Sequence, residues 1–132
     1  MSLTVQLVSP ERILYSGEAT MVVARTTDGD IGFLANHAPF IGALGIGLVS
    51  VHLEGGGVQR VAVHGGFVEV SNNLVTILSD VAELADQIDV RRAEEAKSRA
   101  EADLARLPAD EQADAQAALR RAEVRLELSR AA

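Results

Sequence analysis

Four arginines in the last third of the chain, Arg92, Arg99, Arg121 and Arg125, carry forked guanidinium groups that match carboxylate or phosphate oxygens two at a time. Arg92 and Arg99 are two helical turns apart, and Arg121 and Arg125 are one turn apart, so each pair shares a helix face if its segment is helical. If the chain reverses near Pro108, facing positions have numbers that sum to roughly 216. Arg92 then stands opposite Arg125 and near Arg121. Four cations gather toward the open end of a hairpin, with Glu83, Asp89, Glu95 and Glu123 as the acids within reach. Like charges that close repel unless acids or a bound anion stand between them. Two readings follow. One is a solvated face laced with pairs such as Glu95 with Arg99, each worth roughly a few tenths of a kcal/mol. The other is a polyphosphate site.

Other chemistry is sparse. The chain contains no G-x-S-x-G, no G-x-x-x-x-G-K-[ST], no H-E-x-x-H and no C-x-x-C. His37, His52 and His64 are scattered over expected strands and loops. Asp28-Gly29-Asp30 lacks the further acidic ligands of a calcium loop and reads as a turn. The chain has no cysteine, so neither a disulfide framework nor a thiolate metal site is available. No catalytic residue and no metal ligand set is assigned, and no cofactor is required.

The arginines need helices to hold them, and the composition supplies these late in the chain. All 11 glycines lie at or before Gly66, whereas 13 of the 46 residues from Gln87 onward are alanine. The break divides the chain into residues 1–86 and 87–132. In the second unit Asp89 can N-cap a first helix. Its apolar positions recur at Val90, Ala93, Ala96, Ala100, Leu104 and Leu107. Pro108 ends that run. A second run follows through Ala115, Leu119, Ala122 and Leu126, and so short a break folds the two helices back as an antiparallel hairpin. An alanine seam buries little area. At roughly 25 cal/mol per Å² it supplies only about a few kcal/mol, close to the entropy cost of ordering the chain. The hairpin is therefore expected to be marginal alone and able to undock.

The first unit reads as eight to ten short strands with no helical period. Leu3-Val5-Leu7, Val49-Val51-Leu53 and Val61-Val63 alternate apolar with polar, which puts one face on a core. Thr27-Asp28-Gly29-Asp30, Gly55-Gly56-Gly57, Gly65-Gly66 and Ser71-Asn72-Asn73 read as turns between them. The expected fold is α+β: an N-terminal antiparallel β-sandwich or flattened barrel of about ten strands, followed by a C-terminal α-helical hairpin.

A net charge of −7 argues against nucleic-acid binding, which requires clustered Lys and Arg. Residues 1–6 lack the basic and apolar regions of a signal peptide. The longest nearly apolar run, residues 40–49, falls well short of the roughly 20 residues that cross a bilayer. A soluble chain is expected, with membrane association only through a partner.

Several ordered motifs resemble the epsilon subunits of bacterial F-type ATP synthases. Val8-Ser9-Pro10-Glu11-Arg12-Ile13-Leu14-Tyr15-Ser16-Gly17-Glu18-Ala19 is similar to their opening strands. Gly29-Asp30-Ile31-Gly32-Phe33-Leu34 with His37-Ala38-Pro39-Phe40 is similar to the family's G-E-L-G-I-L-P-G-H-A-P-L loop. Ala35-Asn36 departs from it where the family commonly has Pro-Gly. Gly65-Gly66-Phe67-Val68-Glu69-Val70 and Asn73-Leu74-Val75-Thr76-Ile77-Leu78 resemble its G-G-F-L-E-V and N-V-V-T-I-L segments. The resemblance spans essentially the whole chain.

The resemblance implies two stacked five-stranded sheets and a helical hairpin. It implies a non-catalytic rotor subunit on the cytoplasmic face of the bacterial cell membrane, peripheral to it. The implied partners are the gamma subunit, the c-ring and, through an extended hairpin, the alpha/beta catalytic head. Residues 30–40, with Asp30, Ile31, His37, Pro39 and Phe40, look like the family's ring-facing contact. Ile88-Asp89-Val90-Arg91-Arg92-Ala93 resembles the [IL]-D-x-x-R-A motif of epsilon subunits that bind ATP with the hairpin folded. Glu83, Arg99, Arg121 and Arg125 also fall at matching positions. The resemblance thus implies ATP as a regulatory ligand held by Glu83, Ile88, Asp89, Arg92, Ala93, Arg99, Arg121 and Arg125. A competing reading is a small β-sandwich binding or chaperone module that self-associates through its helical tail. It differs in forming homo-oligomers where a rotor subunit pulls down gamma. A cupin-like enzyme would need an H-x-H pair, which the chain lacks.

Overall fold

A computed structural model describes residues 2–131. Seven strands come first: β1 (Leu3–Val8), β2 (Ile13–Thr26), β3 (Gly29–Leu34), β4 (Phe40–Leu53), β5 (Val58–Ser71), β6 (Leu74–Leu78) and β7 (Ala82–Glu83). A 3-10 turn at Ala85–Gln87 leads into α1 (Val90–Arg106), and a second at Ala109–Glu111 joins it to α2 (Ala113–Ala131). The strands run in the order β1-β6-β5-β4-β2-β3, and β1 also pairs with β2, which closes five of them into a ring. The β1–β6 ladder is parallel, so the sandwich is not wholly antiparallel as its sequence suggests.

The strand count falls below the eight to ten expected because three strands of 14 residues run through their glycines without a turn. Gly65-Gly66 lies inside β5 and makes no turn between strands. Its positive φ angles (87° and 116°) coincide with a break in the β4–β5 register between Leu44–Gly66 and Ile46–His64. A side chain at Gly66 would collide with the Leu78 carbonyl, so only glycine permits β6 to approach this closely. Thr27-Asp28, Glu54–Gly57 and Asn72-Asn73 do turn the chain.

The inner faces meet in a core of Leu3, Val5, Leu7, Val22, Phe33, Val49, Val51, Val61, Val63, Val68, Val70, Val75 and Ile77, all at most 3% exposed. Val61 and Val63 point inward as their alternation requires, yet Ala62 between them is also fully buried. The cause lies outside the sandwich. Ala62 packs with Val124 and Leu128 of α2, flanked by Ile46, Leu48, Ala85 and Ile88. Helix α2 therefore has a second apolar side in addition to its seam with α1. Arg120 Nε donates to the Ile46 carbonyl at 3.3 Å along the same contact.

Candidate functional site

The linker between β6 and α1 sets the site. Glu83 stands on β7, a two-residue strand paired with β5 through Ala62 and Val63. The 3-10 turn that follows is closed by Gln87, whose Oε1 accepts from Leu84 N at 2.8 Å. Asp89 then caps α1, its Oδ1 accepting from Arg92 N at 3.1 Å. That cap satisfies one of the N–H groups that the first turn of α1 would otherwise leave unpaired.

A cleft of about 360 Å³ opens there. It is lined by Glu83, Gln87 and Asp89 from the linker, Arg92, Ala93, Ala96 and Arg99 from α1, and Arg125 from α2. A shallower depression beside it shares Asp89, Arg92 and Arg99 and adds Arg91 and Glu95. Glu95 pairs with Arg91 at 3.3 Å, leaving the expected Glu95–Arg99 pair unmade. Arg125 Nε donates to Glu83 Oε1 at 2.7 Å. Among the described residues the guanidinium groups of Arg92 and Arg99 make no ion pair. Three cations thus face two carboxylates, one already engaged by Arg125, and the surplus charge belongs to Arg92 and Arg99. Such a cleft suits an anion that bridges the two helices.

Six of the eight expected residues line this cleft: Glu83, Asp89, Arg92, Ala93, Arg99 and Arg125. Ile88 and Arg121 do not. Ile88 packs toward the sheet with Ala62, Val124 and Leu128. The charge of Arg121 acts on His64, on the strand behind Glu83. Gln87 and Ala96 line the cleft and have no distinguishing sequence signal, because glutamine in a linker and alanine in an alanine-rich helix look like their neighbours.

The 30–40 segment is built differently from its sequence appearance. Asp30 is exposed and pairs with Arg25 at 2.6 Å, and Pro39 is exposed. Ile31 and Phe40, in contrast, pack against the core. The Phe33, His37 and Phe40 rings form a cluster with centroids 5.1–6.4 Å apart. Leu34 and Ile41 supply the exposed apolar surface there, at 57% and 73%. Asn36 adopts φ 66°, the conformation that a glycine would take at this position, and its N–H donates to Asn73 Oδ1 at 2.6 Å. The departure from Pro-Gly is absorbed locally.

A second exposed apolar row crosses the sheet. Ala43, Phe67, Leu78 and Val8 are register partners across β4, β5, β6 and β1. Phe67 is 58% and Leu78 45% exposed, and Ile41 lies two residues along β4 from Ala43.

Two family models match consecutive parts of the chain. Residues 2–85 match the model of the ATP synthase delta/epsilon chain β-sandwich domain, and residues 86–130 that of its long α-helix domain. The ATP synthase epsilon chain of Streptomyces griseus is 48% identical over 124 residues, covering 94% of this chain and 92% of the relative. That of Symbiobacterium thermophilum is 52% identical over 128 residues, covering 96% and 90%. Among solved structures, a chain in the OSCP/F1/c-ring assembly of Euglena gracilis mitochondrial ATP synthase superposes with a TM-score of 0.82 at 24% identity, covering 96% of this chain and 79% of that one. A chain in the central stalk and c-ring of the Tetrahymena thermophila enzyme gives 0.66 at 13% identity, covering 98% and 97%.

Proposed function

The chain belongs to the ATP synthase delta/epsilon family, within which its close relatives are epsilon chains, and from that premise we propose a non-catalytic central-stalk subunit whose hairpin is a nucleotide-sensitive brake. The sandwich joins the gamma subunit to the c-ring, so that proton flow through the ring turns the stalk. The row of Ile41, Phe67 and Leu78 is the apolar surface available to gamma, since exposed apolar patches mark interfaces. Asp30, His37, Pro39 and Leu34 offer a polar-rimmed edge to the ring's loops. No described helix is long and apolar enough to cross a membrane. In this reading the subunit is held peripherally through the ring, on the cytoplasmic face.

The observation that carries the regulatory half is the convergence of Arg92, Arg99 and Arg125, from both helices, on one cleft with Glu83 of the sandwich. That set is complete only while the hairpin lies folded against β7. ATP phosphates there turn mutual repulsion into charge-assisted hydrogen bonds shared between helices, while Asp89 and Glu83 orient base or ribose. A ligand that binds the folded state alone shifts the population toward it. At about 100 times its dissociation constant it adds roughly 2.7 kcal/mol, comparable to the alanine seam. Extended, the hairpin reaches along gamma toward the catalytic head and blocks rotation in the hydrolysis direction. Isothermal titration of the chain with ATP, with and without magnesium, tests the site. Binding that Arg92→Ala removes supports it, and no heat at millimolar ATP rejects it.

A further inference from the structure

Behind the cleft lies a histidine that the nucleotide reading does not use. His64 sits on β5 with its side chain only 3% exposed, and its Nε2 lies 2.9 Å from Glu83 Oε1. The same oxygen accepts from Arg125 Nε. One carboxylate oxygen on β7 therefore connects a sandwich strand to α2. An ionised carboxylate only accepts, so His64 Nε2 carries the donated proton and Nδ1 of the neutral ring is a bare acceptor. That Nδ1 is buried and has no hydrogen-bond partner among the described residues.

The groups facing the ring decide what a second proton would meet. Glu83 comes from β7, and Arg125 and Arg121 from α2. Ile46 of β4 stands opposite in register, and Asp80 and His64 are among the residues that line one cavity. A proton on Nδ1 would place an unpartnered donor and a net charge in a buried site beside two guanidinium groups. Burial is the largest influence and lowers the ring's pKa; the hydrogen bond to Glu83 opposes it, the charges of Arg125 and Arg121 add to it, and the balance holds the pKa below its ordinary value.

We propose that His64, Glu83 and Arg125 form a latch between sandwich and hairpin that acid opens: neutral His64 keeps α2 docked, and a proton on Nδ1 releases it. Its regulatory meaning rests on the hairpin being the mobile element proposed above. When α2 leaves, both arginines leave with it, and Glu83, still on its strand beside β5, is free to pair with the imidazolium alone. The undocked state thus binds the proton more readily. A group whose docked pKa is depressed contributes stability that is present above the undocked value and lost as pH falls through the docked one. Acid favours the extended form, and the nucleotide-receptive form belongs to neutral and alkaline pH. One linked proton changes the docked-to-undocked ratio by at most about tenfold per pH unit.

The chain has no cysteine, so nitroxides on Glu54→Cys and Glu127→Cys, both exposed positions, read the docking distance directly. The experiment uses the full chain without nucleotide, from pH 8 to pH 5. The docked-to-undocked ratio falls several-fold in the parent. His64→Gln, whose amide donates to Glu83 without titrating, gives a flat profile. Glu83→Gln removes the charge that favours the imidazolium and moves the midpoint to lower pH. A flat parent profile, a His64→Gln profile parallel to the parent, or an unmoved midpoint in Glu83→Gln overturns the latch. Leu128→Asp, which breaks the apolar contact with Ala62, separates the two readings. If it undocks at pH 8 while the parent never does, the hairpin is mobile and the latch alone is wrong. If neither undocks, the mobile hairpin falls with it. ATP titration at pH 8 judges the cleft independently.

Discussion

Arg125 Nε on α2 donates to Glu83 Oε1 on β7 at 2.7 Å, across 42 residues of chain. Each side chain is about a quarter exposed, so solvent weakens the pair without cancelling it. Replacing Arg125 with Ala leaves Glu83 to His64 alone and removes one polar tie between hairpin and sandwich, while that of Arg120 to the Ile46 carbonyl remains. The expected cost is roughly 1–2 kcal/mol, read as faster amide exchange in α2 with the strands unchanged. Equal protection in parent and variant would show that the apolar contacts alone hold the helix.

The cleft makes the arginines unequal. Arg92→Ala, Arg99→Ala and Arg125→Ala each remove a lining guanidinium and are expected to weaken ATP about 10- to 100-fold, the scale of one charge-assisted contact. Arg121→Ala, outside the lining, is expected to change affinity by less than about threefold. Calorimetry on the four variants checks the ranking, and a loss with Arg121→Ala as large as with Arg92→Ala refutes it.

Phe40 and Ile41 are adjacent and opposite in consequence. Phe40 packs on the core and its ring lies over Gly42, so Phe40→Ala is expected to destabilise the sandwich by about 2 kcal/mol, less than for a fully buried ring. Ile41→Asp changes an exposed residue, should shift stability within about 0.5 kcal/mol, and should weaken assembly with gamma. Thermal melts and co-purification together distinguish them. Normal assembly by Ile41→Asp would exclude that face as the docking surface.

Residues 1–85 retain every strand and all of the inner core. The fragment is expected to stay folded by circular dichroism, with a lower melting point because Ile46, Leu48 and Ala62 lose the cover of α2. A random-coil spectrum would mean that the sandwich depends on its hairpin.

Truncation after Pro108 removes α2 and with it Arg125, Val124 and Leu128. If the extended hairpin is the brake, an ATP synthase assembled with the truncated subunit hydrolyses ATP faster than the parent. Unchanged hydrolysis assigns the hairpin a structural role.

The helical half was legible almost to its caps, because Asp89, Pro108 and the alanine spacing are local signals. The two-sided nature of α2 was not. Val124 and Leu128 fall outside the seam period, and their partner Ala62 looks like an interruption between two valines. In the sandwich, inner faces followed from alternation, but glycine misled: Gly65-Gly66 has the composition of a turn and instead bends a continuous strand. Arginine convergence followed from hairpin symmetry, which placed Arg92 and Arg125 correctly. Arg121 stands outside the lining and acts on His64 behind it, because helix rotation against the sheet is set by tertiary packing. No spacing rule connects residues 64, 83 and 125, so the contact of His64 with Glu83 emerges only in three dimensions.

The parallel β1–β6 ladder, with its five register pairs from Thr4–Leu74 to Val8–Leu78, has a mechanical consequence. Because the strands run the same way, the start of β1 and the end of β6 lie at opposite ends of the ladder. Tension between the N-terminus and the hairpin pulls the strands lengthwise past one another, and all five pairs resist together. An antiparallel hairpin pulled from its two ends would unzip one pair at a time. The sandwich is therefore expected to yield abruptly and late under such a pull, as one cooperative unit.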